Sequence, residues 1–376
     1  MIRELLKRVY LKIRKLILIP FLSFRKVVIP ERDSIRNILF LRHDRIGDMV
    51  LSTPTLEALK QGLPGARLIV LSSLLNRDIL LGNPFVDEVI VYERKLLDAI
   101  RIIGNIRQRQ FDLIIDPFLT YELWTAFLSF IMGAKYRIGF EISGREIFFN
   151  IKGPKGEGER TVLDHTLDLA RSLDIKIKDH LPFIYLSESE RSKAGEMLRE
   201  KGIEKRDILI GIHPGGYYES QRWPAERFGL VGDRIILEYG AKVIIFVGEE
   251  DREQLDVIRK AMGGNPVIIQ GAGLRDFIAL LSYCNLLLCN NSGPLHIATA
   301  LRVPTVSTMG PTVPYLWWPA GDNNIVLRKG IKCSPCNKDV CKGKECMELI
   351  TPDDMMDAVT KKIAGSGLRY EKRENR

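Results

Sequence analysis

Three short segments carry residues able to do chemistry, and each joins an apolar run to a stretch of helical spacing. The first reads Leu41-Arg-His-Asp-Arg-Ile-Gly-Asp-Met-Val-Leu-Ser-Thr-Pro54. Gly47 permits a tight turn, and Asp48 falls near a helix N-terminus, a place that favours a carboxylate. Such a carboxylate can accept a proton from a hydroxyl nucleophile. It can also do no more than cap the helix, the commoner use of Asp at that position.

The second segment is His213-Pro-Gly-Gly-Tyr-Tyr-Glu-Ser-Gln-Arg-Trp-Pro224. Gly215 and Gly216 let backbone amides approach an anion, and Arg222 brings a cation suited to phosphate. Neither a Walker loop nor a GxGxxG fingerprint is present. A glycine turn with Trp223 as packing anchor and Pro224 opening a helix explains the same residues. The third segment is Cys289-Asn-Asn-Ser-Gly-Pro-Leu-His-Ile-Ala298. Asn291 or Ser292 can cap, Pro294 fits the first turn and Gly293 leaves room, so the terminus suits a phosphate. His296 is placed to hydrogen-bond a phosphate oxygen or a sugar hydroxyl, or else is a packed surface histidine. Glu249, Glu250 and Asp251 follow the run at 242–247, where an acid suits ribose hydroxyls, and Glu250 is the candidate among them; a solvated helix start explains these acids as well. Met309-Gly-Pro-Thr-Val-Pro314 supplies one more turn after an apolar run.

The elements around these segments alternate. Strand-like runs at 37–41, 67–71, 88–92 and 112–116 are interleaved with helical spacing at 49–60 and 96–109. The pattern restarts with strands at 207–213, 242–247, 266–269, 286–289 and 304–308 and helices at 225–238, 252–262, 274–283 and 294–301. Alternation of this kind means βαβ units and a parallel sheet. The expected fold class is therefore α/β, with two doubly wound, Rossmann-like domains facing across a cleft and ligands at the carboxyl ends of their strands. A polar stretch at 151–161 reads as a loop and 162–173 as a helix, with the boundary near 186–190. The expected domains are 1–33, 34–188 and 189–365, with 366–376 a flexible tail. A length of 376 residues fits two domains, since single cores stop growing at roughly 250 to 300 residues.

Charge is placed unevenly. Residues 1–30 hold +7 of the net +9, and the body shows no basic stripe interleaved with aromatics, so no nucleic-acid partner is expected. With 45% hydrophobic and 27% charged residues, full-length disorder and a polytopic membrane protein are both excluded. In the first 30 residues the longest uncharged run, 16–24, contains Pro20 and is too short to span a bilayer, and no cleavage site follows. Leu5, Leu6, Val9, Tyr10, Ile13, Leu16 and Ile17 recur at helical spacing among Lys and Arg, as in a basic amphipathic helix on an anionic cytoplasmic membrane surface. A helix packed on the body with a solvated basic face is the alternative. The expected location is the inner face of the cytoplasmic membrane.

Four of the six cysteines form Cys333-x2-Cys336-x4-Cys341-x4-Cys346 in a chain without a secretion signal. A structural zinc and reduced thiols are both open, and a disulfide is the weaker reading in a reducing compartment.

From Asn37 to about Ile363 the chain resembles glycosyltransferase family 9, the heptosyltransferases of lipopolysaccharide core synthesis. The resemblance rests on R-x-x-x-I-G-D-x-x-L-x-x-P at Arg42 to Pro54, H-P-G-x(n)-R-W-P at His213 to Pro224, N-S-G-P-x-H at Asn291 to His296, and Gly310-Pro-Thr312. It implies a GT-B architecture, with Asp48 as general base in an inverting transfer that needs no cofactor. It implies a nucleotide-diphosphate sugar, ADP-heptose in type, held by the second domain at His213, Gly215, Gly216, Arg222, Asn291, Ser292, Gly293 and His296. A lipid-linked saccharide acceptor would lie in the first domain, with Arg42 and Arg45 as candidate contacts. Gln221 departs from the lysine that many members carry there, and Asn291 from the family's aspartate. A nucleotide-sugar epimerase of the same fold and a non-catalytic sugar-nucleotide-binding protein are the competing readings.

Overall fold

In the computed structural model, which describes residues 9–11, 13, 14, 16, 17, 26–93, 95–177 and 181–365, the apolar run Asn37–Arg42 forms β1 and is buried beyond its first residue. Continuous apolar runs of this kind belong in parallel sheets covered on both faces. There follow α1 (Ile46–Gly62), β2 (Arg67–Ser72), β3 (Glu88–Val91), α2 (Leu96–Gln108), β4 (Leu113–Asp116), α3 (Trp124–Ile131), β5 (Tyr136–Gly139) and α4 (Val162–Arg171). The strands are parallel in the order β3-β2-β1-β4-β5. The chain winds one way from β1 to β3 and the other way from β4 onward. The loops after β1 and β4 therefore meet at the switch point, where doubly wound sheets bind ligands.

Helix α1 is buried almost all round, which makes it a core element. Pro54 inside it has no N–H for the Val50 carbonyl, and the Thr53 hydroxyl donates there instead at 2.8 Å. Helix α4 opens with a reciprocal cap between Thr161 and Asp164.

The second unit begins with α5 (Glu188–Glu200) and continues through β6 (Leu209–His213), α6 (Ala225–Tyr239), β7 (Lys242–Val247), α7 (Arg252–Ala261), β8 (Val267–Gln270), α8 (Leu274–Leu281), β9 (Leu286–Asn290), α9 (Gly293–Ala300), β10 (Thr305–Thr308), β11 (Asn324–Leu327), α10 (Glu345–Glu348) and α11 (Pro352–Gly365). Its parallel sheet runs β11-β10-β9-β6-β7-β8. The switch point lies between β6 and β9, and the second and third chemistry-bearing segments are the loops that follow those two strands. Trp223, Phe228, Ile235, Val247 and Met347 belong to the core beneath them.

The chain divides into residues 1–180 and 181–376, several residues before the 186–190 boundary read from sequence. Polar contacts explain the shift: Arg302 donates to the Pro182 carbonyl and Arg275 to the Tyr185 carbonyl, which tie this stretch to the second unit. The predicted strands match β1–β4 and β6–β10 to within two residues, while α3, β5, α5 and β11 were not anticipated.

In the N-terminal segment the described residues 9–11, 13, 14, 16 and 17 are helical. Residues 1–8 and 366–376 lie outside the described residues. Among the described residues no helix is long and apolar enough to cross a membrane.

Candidate active site

In the first unit, α1 starts at Ile46, so Asp48 stands in its first turn, and Arg45 holds the capping position without a side-chain cap bond. Asp48 is only 6% exposed. Burial pushes its carboxyl from 3.8 up to about 7, with Asp44 adding to the rise and Arg42 and Arg45 opposing it. A buried carboxyl titrating near neutrality is suited to act as a general base.

Arg42, expected as a candidate acceptor contact, makes its observed hydrogen bonds within the first unit. It is 1% exposed, and its guanidinium is occupied inside the unit. Its Nε donates to Ser52 Oγ at 3.0 Å, Nη1 to Asp44 Oδ2 at 3.1 Å, and Nη2 to the Pro117 carbonyl at 3.0 Å. The Nη1 atom lies 3.8 Å from Asp48 Oδ1. Arg42 thus sets the field at Asp48 and joins the loops after β1 and β4. Arg45 is exposed.

Sequence reasoning missed two residues here. Asn76 is fully buried, donates to the Arg42 carbonyl at 3.0 Å and accepts from the Ser73 amide at 2.9 Å, bracing the loop after β1. His43 is buried between the rings of Tyr92 and Phe118, at 5.1 Å from each. Asn76 has no motif around it, and His43 falls at an unspecified position of the first segment. A single Asn and a single His in loops carry little signal until the fold supplies their partners.

In the second unit Gly215 follows β6, and a Cβ there would meet the Asp251 carboxylate and the His213 ring, so any side chain would have to displace them. The side chain of Glu250 lies outside the described residues. Asp251 is the neighbouring acid that meets the loop, with Oδ1 3.6 Å from Arg222 Nη2. Arg222 also donates from Nε to the Gly216 carbonyl at 2.9 Å, which holds its guanidinium beside the glycine pair. Gln221, in place of lysine, donates to Thr312 Oγ1 at 3.1 Å, so the Gly310-Pro-Thr312 turn is fastened to this loop. Burial pushes the His213 imidazole down, with Asp251 partly offsetting it.

Ser292 occupies the capping position of α9 but makes no side-chain cap bond; its hydroxyl donates to the Asn290 carbonyl at 3.3 Å. Asn291 reaches the Trp317 carbonyl at 3.5 Å rather than the helix amides. The expected cap is therefore not formed by either side chain, and the positive end of α9, with Gly293 at its first position, suits an anion. His296 is 2% exposed, with Trp317 6.3 Å from its ring, and burial pushes its imidazole down to about 4. At neutral pH it offers a hydrogen bond and no charge.

The residue that unites these loops is Asn290, which sequence reasoning passed over. It is fully buried at the end of β9. Its Oδ1 accepts from the Trp223 amide at 2.9 Å and the Thr308 hydroxyl at 2.8 Å, while Nδ2 donates to the carbonyls of Pro214 at 2.7 Å and Gly215 at 3.0 Å.

The four cysteines at 333–346 differ in their surroundings. Cys333 is exposed, whereas Cys346 is buried in the core and would meet any Cβ at Gly310. Burial, and then the thiols of Cys336, Cys333 and Cys341, push the Cys346 thiol up, so the four are within electrostatic reach of one another. Even so, among the described residues no three His, Cys, Asp or Glu side chains form a group able to hold a metal ion. No disulfide joins any of the six cysteines.

The fold matches solved structures along nearly its whole length. A family 9 glycosyl transferase from Veillonella parvula superposes with a TM-score of 0.78 at 23% identity, covering 90% of this chain and 100% of that one. The Escherichia coli ADP-heptose lipopolysaccharide heptosyltransferase II gives 0.72 at 22% identity, covering 88% and 99%. Tandem doubly wound units of this type are those of a GT-B glycosyltransferase. In sequence, lipooligosaccharide heptosyltransferase 2 of Campylobacter jejuni is 25% identical over 328 residues, covering 84% of this chain and 96% of the relative. The profile described as glycosyltransferase family 9 (heptosyltransferase) matches residues 99–347. The chain belongs to glycosyltransferase family 9.

Proposed function

We propose that this glycosyltransferase moves a heptose from ADP-heptose to a lipid-linked saccharide of lipopolysaccharide core type, with inversion at the anomeric carbon. The observation that carries the mechanism is the buried Asp48 carboxyl, raised to about 7 in the first turn after β1. The ionised carboxylate takes the proton of the acceptor hydroxyl. The acceptor oxygen forms a bond to the anomeric carbon, and the bond from that carbon to the diphosphate oxygen breaks, with the electron pair leaving on ADP. No covalent enzyme intermediate and no metal takes part in this reading.

The developing diphosphate charge would meet the positive end of α9 at Gly293, the loop amides at Gly215 and Gly216, and the Arg222 guanidinium. His213 and His296, both held neutral by burial, would add hydrogen bonds. Arg45 would contact the acceptor. The ADP-heptose donor is supported by the name of the Escherichia coli relative, and the lipid-linked acceptor also by the basic N-terminal segment, which would hold the enzyme at the inner face of the cytoplasmic membrane.

Calorimetric titration with ADP, GDP and UDP tests the donor. Selective ADP binding supports the reading, and preference for another base would leave a family 9 transferase with a different sugar donor. Binding of none, by folded protein, would favour a degenerate site in which Gln221 has replaced a needed cation.

A further inference from the structure

Helix α3 is built the wrong way round for a helix packed against a sheet. Its sequence WTAFLSFI buries Thr125, Ala126, Leu128 and Ser129, while Trp124, Phe127 and Phe130 are 48%, 39% and 48% exposed. The aromatics are contiguous. Trp124 and Phe127 lie 6.2 Å apart, and Phe148 touches both Phe127, at 5.8 Å, and Phe130, at 5.9 Å. An exposed aromatic cluster over small buried residues marks an interaction surface rather than a packing accident.

Two further observations point to its partner. The segment that supplies Phe148 is held rigidly by Arg145, which is fully buried, pairs with both oxygens of Asp116 at 2.8 and 2.7 Å, and donates to Thr125 Oγ1 at the start of α3 at 2.8 Å. The same segment receives the basic N-terminal helix, since Arg14 Nη2 donates to the Ser143 carbonyl at 2.6 Å. That helix leaves Tyr10, Ile13, Leu16 and Ile17 more than half exposed within a stretch carrying +7. An apolar face beside concentrated positive charge complements an anionic bilayer, where Trp and Phe sit at the headgroup boundary.

We infer that Trp124, Phe127 and Phe130 form a second membrane contact that enters the lipid interface together with the N-terminal helix. This deepens the proposed function and rests on its membrane-surface reading. The helix supplies attraction to anionic headgroups, and the α3 aromatics supply apolar burial that salt does not screen. Together they fix the first unit to the surface at two places, where one basic helix alone would act as a tether.

The test uses the full chain and vesicles of phosphatidylcholine with phosphatidylglycerol. Replacing Trp124, Phe127 and Phe130 together by Ser should lower partitioning at least about tenfold, and the loss should persist at high salt. Brominated acyl chains should quench a fluorescence component that Trp124→Phe removes. ADP titration of the same variants serves as a fold control and should be unchanged. Unchanged partitioning of the triple variant, with binding abolished by Lys12→Glu/Lys15→Glu, would overturn the inference and leave the tail as sole contact. A lower sedimentation mass of the triple variant without vesicles would overturn it in favour of self-association, and so would wild-type protein that ignores vesicles while binding ADP. Failure to bind ADP with vesicle binding intact would instead count against the donor reading alone.

Discussion

Arg42 Nη1 stands 3.8 Å from Asp48 Oδ1 while giving its hydrogen bond to Asp44 Oδ2 at 3.1 Å. The buried cation therefore steadies the Asp48 charge without neutralising it by a close pair. Burial raises the Asp48 carboxyl most, Asp44 adds to the rise, and Arg42 and Arg45 oppose it.

The pH dependence of transfer follows. The base must be ionised, so kcat/KM should rise with pH and level off above an apparent value of about 7. Asp44 raises the Asp48 value, so Asp44→Asn should move this acid limb to lower pH. A pH–rate profile of both proteins checks it, and an unmoved limb would assign the titration to another group.

Stability carries the same signature. The folded-state value, about 7, lies above the ordinary 3.8, so the folded protein holds the Asp48 proton more tightly than the unfolded chain does. Ionising Asp48 therefore costs stability progressively as pH rises from about 4 to 7, and the cost is constant above that. Asp48→Asn removes the cost. Its melting temperature relative to wild type should climb through this window and then plateau, which thermal melts at pH 4, 6 and 8 would read.

Asn290 fastens the loop after β6 to the end of β9 through three hydrogen bonds, and a fourth, from the Thr308 hydroxyl, ties in β10. Asn290→Ala should cost about 3 kcal/mol or more, because buried donors and acceptors lose their partners. ADP affinity should fall with it. Asn290→Asp keeps an acceptor for the Trp223 amide and should fall between the two in denaturant melts.

Asp116 and Arg145 are both fully buried. Removing the cation in Arg145→Ala leaves a buried carboxylate uncompensated and should destabilise the first unit by about 3–5 kcal/mol. Replacing both, as Arg145→Met with Asp116→Leu, should recover much of this loss in the same melts.

The loops that carry chemistry were legible because Gly, Pro and a terminal Asp or His follow apolar runs in an order that winds a parallel sheet, and the switch points then fall at Asp48, His213 and Asn291. What escaped was long-range. The partners of Asn290 at Pro214 and Gly215 lie some seventy positions away, and Asn76 is separated from Arg42 by 34 residues. Helix α3 escaped for another reason: its aromatic residues Trp124, Phe127 and Phe130 face outward while Leu128 faces the core, so its apolar residues do not mark a single buried face. The internal role of Arg42 was hidden because a sequence does not show that an arginine bonds to Ser52, Asp44 and the Pro117 carbonyl inside the fold.

Transfer and ADP binding measured side by side in Asp48→Asn test whether Asp48 is the base. An asparagine cannot accept the acceptor's proton as a base, and removing one positioned base typically lowers rate by about 10²–10⁴-fold. Asp48→Asn should lose kcat by that factor while calorimetric ADP affinity stays within about twofold of wild type, since the second unit would hold the donor. Transfer retained at near wild-type kcat would contradict Asp48 as the base.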